Sequence, residues 1–188
     1  LLKIRCSEGG ESAAFLVSSD TSKKKIFDLY LWQQANTTAN KIVDSSTAQM
    51  PEGWAASENA NPFFSEDGTK LFFGIAPFPY NAPEDTLLDS EKYTLDIWHW
   101  KDKELQPQQK VNLNRKKRET FKSVYHLASK KFVQLEDEKI KGLRFSKKQK
   151  HSLALASSDE RQKLSHSWSM PWLRDYYLVN IEDGTKTL

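Results

Sequence analysis

An all-β chain assembled from about three copies of a four-stranded antiparallel unit is the fold class this sequence predicts, and three observations predict it. Turn-then-strand runs recur in the same phase at Ser7, Ser65 and Ser146. Segments such as 26–33, I-F-D-L-Y-L-W-Q, alternate side chains with the period of two that marks a half-buried strand. No apolar run sustains the 3.6-residue spacing of an amphipathic helix, because Ser, Asn and Pro interrupt each one.

In chain order, 1–10 reads as a strand ending in a turn, and 11–19 as a small apolar strand. Lys23, Lys24 and Lys25 form a charged tip of the kind that discourages edge pairing. The alternating strand 26–33 and a short strand at 40–43 complete the first unit. Residues 44–60 read as a Ser-, Ala- and Asn-rich linker anchored by Trp54. The segment 61–76, N-P-F-F-S-E-D-G-T-K-L-F-F-G-I-A, reads as a hairpin, since Asp67-Gly68 between two apolar runs supplies the positive φ such turns need. Three prolines make the start of 77–93 an extended loop rather than a helix. Residues 94–100 are expected to form an alternating strand, and 101–118 a charged segment without an apolar face. Hairpins follow at 121–135, 142–157 and 175–188, with 162–173 a loop carrying Trp168, Pro171 and Trp172.

The three units superpose strand by strand. Their first turns are S-E-G-G, S-E-D-G and S-K-K-Q, with Lys147-Lys148-Gln149 standing where Asp-Gly is expected. Their third strands are F-D-L-Y-L-W, F-K-S-V-Y-H-L and R-D-Y-Y-L-V-N-I. Repeats of roughly 40–60 residues with four strands each are the signature of β-propeller blades, which stack because one meandering sheet cannot bury both faces alone. The prediction is a β-propeller fragment over 1–188, with blades at about 1–50, 61–137 and 141–188 and an insertion at 77–118 in the second. A β-sandwich is the rival. Three blades fall short of the roughly four that a ring needs, so an open edge and self-association are expected. The chain begins at Leu1 in what reads as a strand, which points to a processed or excised fragment.

Composition narrows the function classes. Aromatics at 12% argue against disorder. The net charge of +3 is mild, and the basic runs at 23–25, 115–118 and 147–148 sit in turns and loops beside acidic residues, so no nucleic-acid partner is expected. No stretch approaches the ~18 apolar residues of a membrane span, so no membrane partner is expected. Cys6 is the single cysteine, which excludes an internal disulfide and a thiolate metal cluster. Asn36-Thr37-Thr38 matches a glycosylation sequon but reads as a polar loop.

No catalytic, cofactor or metal site is predicted. His99, His126, His151 and His166 lack ligand spacing, and His126, in a strand, is expected to be packed or hydrogen-bonded. The acidic turns at Glu84-Asp85 and Glu136-Asp137-Glu138 are expected to be solvated. Trp98 and Trp100 fall on one face of the expected strand, with Asp96 beside them. An inter-blade packing ladder is the favoured expectation for them, and a platform contacting a peptide or sugar partner through Asp96, Trp98 and Trp100 the alternative.

Two stretches carry a family likeness. F-S-E-D-G-T-K-L-F-F-G at 64–74 resembles the F-S-P-D-G-K-x-L-x-F turn of TolB-like and peptidase propellers, WD-like repeats of four strands. L-D-I-W-H-W-K-D-K-E-L-Q-P-Q-Q-K at 95–110, with F-V-Q-L-E-D at 132–137, resembles the amino-terminal propeller of large bacterial serine peptidases of the prolyl oligopeptidase family. The resemblance implies a periplasmic or secreted protein whose nucleophile, acid and histidine lie in a carboxy-terminal α/β-hydrolase domain of the full-length chain. It implies that the propeller gates peptide substrates as a scaffold. No G-x-S-x-G occurs among the seven glycines here, so no nucleophile elbow lies within the chain. The alternative is a TolB-like propeller that binds a protein or glycan and has no enzymatic role.

Overall fold

A computed structural model describes residues 1–21, 24–80, 86–88, 90–92, 95, 97–146, 149 and 151–188, with Ser167 described by its backbone alone. Three antiparallel sheets follow one another along the chain. The first runs β1 (Leu2–Cys6), β2 (Ser12–Val17), β3 (Asp28–Gln33) and β4 (Asn40–Val43) in sequence order. The second contains β5 (Trp54–Ala56), β6 (Phe63–Phe64), β7 (Lys70–Pro77), β8 (Phe121–His126) and β9 (Lys131–Gln134). The third runs β10 (Lys141–Arg144), β11 (Leu153–Ser158), β12 (Asp175–Asn180) and β13 (Lys186–Thr187), again in sequence order. Three meandering sheets stacked face to face are the blades of a partial β-propeller.

The pleat explains the stacking. Along β7, Leu71, Phe73 and Ile75 point toward the first sheet, where they join Ala14, Leu16, Leu29, Leu31 and Val43 in one core. Phe72, the alternate residue, points the other way and joins Val124, Val133 and Leu135 against Ala154, Ala156, Val179 and Ile181 of the third sheet. The second blade is therefore buried on both faces, and each outer blade on one. Phe63 and Phe145 pack beside Phe72 at ring separations of 5.0 and 4.5 Å.

The three first turns share one closing hydrogen bond. The N–H at the fourth position donates to the serine carbonyl in each: Gly10 to Ser7 at 3.0 Å, Gly68 to Ser65 at 2.9 Å, and Gln149 to Ser146 at 3.1 Å. The Ser7 and Ser65 hydroxyl oxygens accept the N–H of Ser12 and Lys70, at 3.1 and 3.0 Å, closing the turn onto the following strand. Ser65 also donates to Asp67 at 2.6 Å, and that bond is the main reason the Asp67 carboxyl is held down at about 2. Gly10 and Gly68 take φ of 73° and 66°, and Gln149, at the same step, takes 47°. The left-handed region costs a non-glycine residue roughly 1 kcal/mol. Gln149→Gly is accordingly expected to raise stability by about 0.5–1 kcal/mol, a gain of about 2 °C in a thermal melt. An unchanged or lower midpoint would show that Gln149 carries no strain.

Four sequence expectations are corrected. The described residues of 94–100 form no strand; Thr94 and Asp96 lie outside the described residues. The polar segment 101–118 contains α1 (Gln106–Lys117), which has no buried residue. Its Gln, Lys and Arg are good helix formers, Pro107 sits in its first turn, and Arg115, Lys116 and Lys117 complement the dipole at its end. Without an apolar face, hydrophobic periodicity had nothing to detect. The expected linker 44–60 holds β5, so the second sheet begins at Trp54, and β5 and β6 share one edge of β7. The loop 162–173 contains a short 3-10 helix at Lys163–Ser167.

The expectation for the acidic turn also changes. Glu136 is 4% exposed. Its carboxylate accepts the N–H of Lys122 at 2.8 Å, the Lys122 ammonium at 3.2 Å and the N–H of Leu143 at 2.7 Å. Lys122 also donates to the Leu143 carbonyl at 3.0 Å, so this pair joins the second blade to the third. Next to it, Asp137 pairs with Lys186 of β13. Burial works to raise the Asp137 carboxyl, but Lys186 and the N–H groups of Ile140 and Lys139 outweigh it and leave it lowered. His126, as expected, is packed in its strand, with Nε2 donating to the Ile181 carbonyl at 3.1 Å and Nδ1 3.4 Å from Glu182. Glu84 and Asp85 lie outside the described residues.

Candidate functional site

The elaborated connections leave the blades at one end. In each blade the long segment joins the second strand to the third: 18–27 in the first, 78–120 in the second and 159–174 in the third. An antiparallel meander places alternate connections at opposite ends, so these three emerge together. The opposite end carries the short turns headed by Ser7, Ser65 and Ser146.

Polar contacts tie the three connections into a rim. Lys24 of the first donates to the Tyr80 carbonyl of the second. Lys103 pairs with Glu160, joining the second to the third. Glu104 bridges Lys116 of α1 at 2.6 Å and Lys163 of the 3-10 helix at 2.5 Å. Gln106 donates from Nε2 to the Ile97 carbonyl at 2.9 Å, holding the start of α1 against the tryptophan-bearing segment.

Within the rim, Trp98, Trp100 and Trp168 line a cavity of about 400 Å³ with Leu105 and Leu164. Trp98 is 63% exposed and Trp100 77%. The expected inter-blade ladder is thus not formed by them, and they face solvent at the rim. Trp168 is 72% exposed, and Lys101 lies 4.9 Å over the Trp100 ring. Asp96, the third residue of the expected contact set, lies outside the described residues. Trp168 was noted in sequence only as a loop residue; a tryptophan between polar neighbours just before Pro171 is the signal that marks it. A second cavity, about 720 Å³, lies between α1 and the third blade and mixes charges, with Lys141 paired to Glu119 at 2.8 Å.

Glu104 holds the rim together, and its titration gives a test. Its bond to Lys116, then that to Lys163, outweigh burial and hold its carboxyl at about 2. Because this lies below the value in an unfolded chain, the contribution is complete above roughly pH 4.5 and is lost as the pH falls from there. Tryptophan emission is therefore expected to shift between about pH 4.5 and 2.5 while the far-ultraviolet β signal persists. Glu104→Gln should reproduce the shift at pH 7 and cost less than about 1 kcal/mol, since α1 buries nothing. An acid transition identical in wild type and variant would show that Glu104 does not hold the rim.

Among the described residues, no helix is long and apolar enough to cross a membrane. Among the same residues, no three His, Cys, Asp or Glu side chains gather as metal ligands. No protein-family model matches the chain, and the search of curated proteins found no match. Solved structures similar to it include TolB from Acinetobacter baumannii, at 12% identity over 98% of this chain and 31% of that one, TM-score 0.40. Another is the β-propeller domain of the Trilobed protease from Pyrococcus furiosus, at 13% identity over 99% of this chain and 40% of that one, TM-score 0.42. A third is the apo isopeptidase AtxE2, at 11% identity over 98% of this chain and 28% of that one, TM-score 0.42. This chain thus spans less than half the length of each. On its own sheet topology it is a partial β-propeller, and the solved propellers it resembles include TolB and protease propeller domains.

Proposed function

We propose that this chain is the non-catalytic propeller part of a secreted or periplasmic serine peptidase, acting as scaffold and as gate for peptide substrates. In this reading its partner is a carboxy-terminal α/β-hydrolase domain of the same polypeptide, facing the end that carries the long connections. The observation that carries the reading is the rim: all three second-to-third connections are tied together at one end and present Trp98, Trp100 and Trp168 to solvent. Exposed tryptophans held on a rigid scaffold offer large contact area at little entropic cost, which suits extended peptides.

The coding sequence beyond Leu188 tests the domain assignment. A G-x-S-x-G within an alternating α/β pattern is expected there, and its absence excludes a peptidase of this kind. The chain alone is expected to leave small chromogenic peptides uncleaved while unstructured peptides quench its tryptophan emission. Replacing Trp98 and Trp100 together with alanine should weaken that quenching by about 10-fold or more. A TolB-like propeller that binds a protein or glycan is the second reading, favoured by the same exposed rings. Quenching by oligosaccharides rather than peptides, with no hydrolase encoded downstream, would select it.

A further inference from the structure

The tryptophan cavity at the rim combines aromatic faces with negative charge. The described residues that line it include Trp98, Trp100 and Trp168 together with Asp102 and Glu104, and none of them is Lys or Arg. The face of an indole ring is electron-rich and draws cations more strongly than that of Tyr or Phe. A wall of indole faces and carboxylates therefore favours a positive group over a neutral or negative one of the same shape. At about 400 Å³ the cavity sits near the lower end of the ~300–1,000 Å³ of small-ligand sites, a size for one side chain rather than for a folded partner.

The two carboxylates are differently engaged. Glu104 is saturated by Lys116 at 2.6 Å and Lys163 at 2.5 Å, and nearby Lys103 is paired with Glu160. Asp102 has no cation partner among the described residues. Its Oδ2 accepts the His99 N–H at 3.2 Å, and its own N–H donates to the His99 carbonyl at 3.0 Å. The Lys101 N–H donates to His99 Nδ1 at 3.2 Å and tightens the same turn. These three bonds hold the Asp102 carboxylate beside the rings.

The chain itself supplies an example of the interaction. The Lys101 ammonium lies 4.9 Å over the Trp100 ring, within the ~6 Å range of a cation–π contact, and pairs with no carboxylate among the described residues. An internal cation thus uses one indole face, while among the described residues no cation covers Trp98 or Trp168.

We infer that this cavity takes a cationic side chain, arginine or lysine, of a bound peptide, the cation lying on the indole faces with Asp102 as its counter-charge. The inference rests on the reading of the rim as a peptide site and adds which peptides it selects. Arginine suits the wall best, because its planar guanidinium stacks on a ring while its N–H groups reach a carboxylate. Lys101 competes with the ligand for the Trp100 face.

Tryptophan quenching of the whole chain by three unstructured peptides tests this. The peptides differ at one central position, which holds arginine, citrulline or glutamate; citrulline keeps the shape of arginine without its charge. The arginine peptide is expected to bind about 10-fold more tightly than the citrulline peptide, and the glutamate peptide most weakly. About 1 M salt, where charges are screened beyond about 3 Å, should remove most of that difference. Asp102→Asn should bring the arginine and citrulline peptides to within about 2-fold while leaving the citrulline affinity unchanged, a split that general damage to the rim does not produce. Lys101→Ala should tighten the arginine peptide by about 3-fold. Circular dichroism verifies that each variant keeps its β signal. Equal quenching by the arginine and citrulline peptides overturns the cation preference and leaves the peptide reading standing. An arginine preference that Asp102→Asn leaves intact also overturns the inference, since the counter-charge then lies elsewhere. Quenching by none of the three overturns the peptide reading and this inference together.

Discussion

Glu136→Ala is expected to destabilise the protein by about 3 kcal/mol, lowering its thermal midpoint by about 10 °C. The carboxylate is 4% exposed and accepts three donors: the N–H of Lys122, the N–H of Leu143 and the Lys122 ammonium. Alanine leaves the two backbone N–H groups buried without an acceptor and the half-exposed ammonium without its counter-charge. The loss is also directional. Leu143 begins the third blade and Lys122 lies in the central strand pair of the second, so removing the carboxylate loosens the joint between them. Hydrogen exchange should report this as lost protection in β10 and β11 while β2 and β3 keep theirs. Glu136→Gln provides the internal control. Its amide oxygen can still serve Leu143, but its NH₂ group faces the Lys122 N–H, so about half of the effect should remain. A Glu136→Ala variant within about 0.5 kcal/mol of wild type would show that water satisfies these donors and that the blades are joined by apolar contact alone.

How much of this was legible in the chain follows from the range of the interactions. The hairpin over 61–76 is written locally, because Ser65, Asp67 and Gly68 close their own turn and the alternation from Leu71 to Ile75 states which residues face which blade. The repeat phase was legible for the same reason, and it placed Gln149 correctly even though glycine is missing there, since Ser146 sets the step. Glu136 was misread because its decisive donor, the Leu143 N–H, belongs to the next blade and no local pattern names it. α1 was missed because its stability comes from helix-forming side chains and ion pairs rather than from an apolar stripe. Trp98 was placed in a strand because W-H-W alternates, yet alternation specifies a strand only when a neighbouring strand is available to pair with it. The rim at Glu104, Lys163 and Trp168 was out of reach as well, since it is made by two insertions that meet only after the blades have stacked.

The second large effect is expected at Gly74, where the fold needs the absence of a side chain. β5 and β6 are two pieces of one edge of the second sheet, interrupted by residues 57–62. That excursion is pinned to β7 by the Ser57 N–H, which donates to the Gly74 carbonyl at 2.9 Å, and by Pro62, which is fully buried. It crosses directly over Gly74. A Cβ at this position would lie 2.4 Å from the Ala60 Cβ and 3.1 Å from the Thr120 Cβ, closer than such atoms pack. Gly74→Ala is therefore expected to cost about 2 kcal/mol and Gly74→Val about 3 kcal/mol or more, read from urea unfolding midpoints. The clash has a named partner, so it can be relieved. Ala60→Gly alone should cost less than about 1 kcal/mol, because Ala60 is only half-buried, and in the double variant it should recover roughly half of the Gly74→Ala loss. Additive losses in that cycle would place the strain on the Thr120 side, at the entry to β8. A neutral Gly74→Ala would mean that 57–62 lifts from the sheet without cost, and the interrupted edge would then be a flexible segment rather than a packed one.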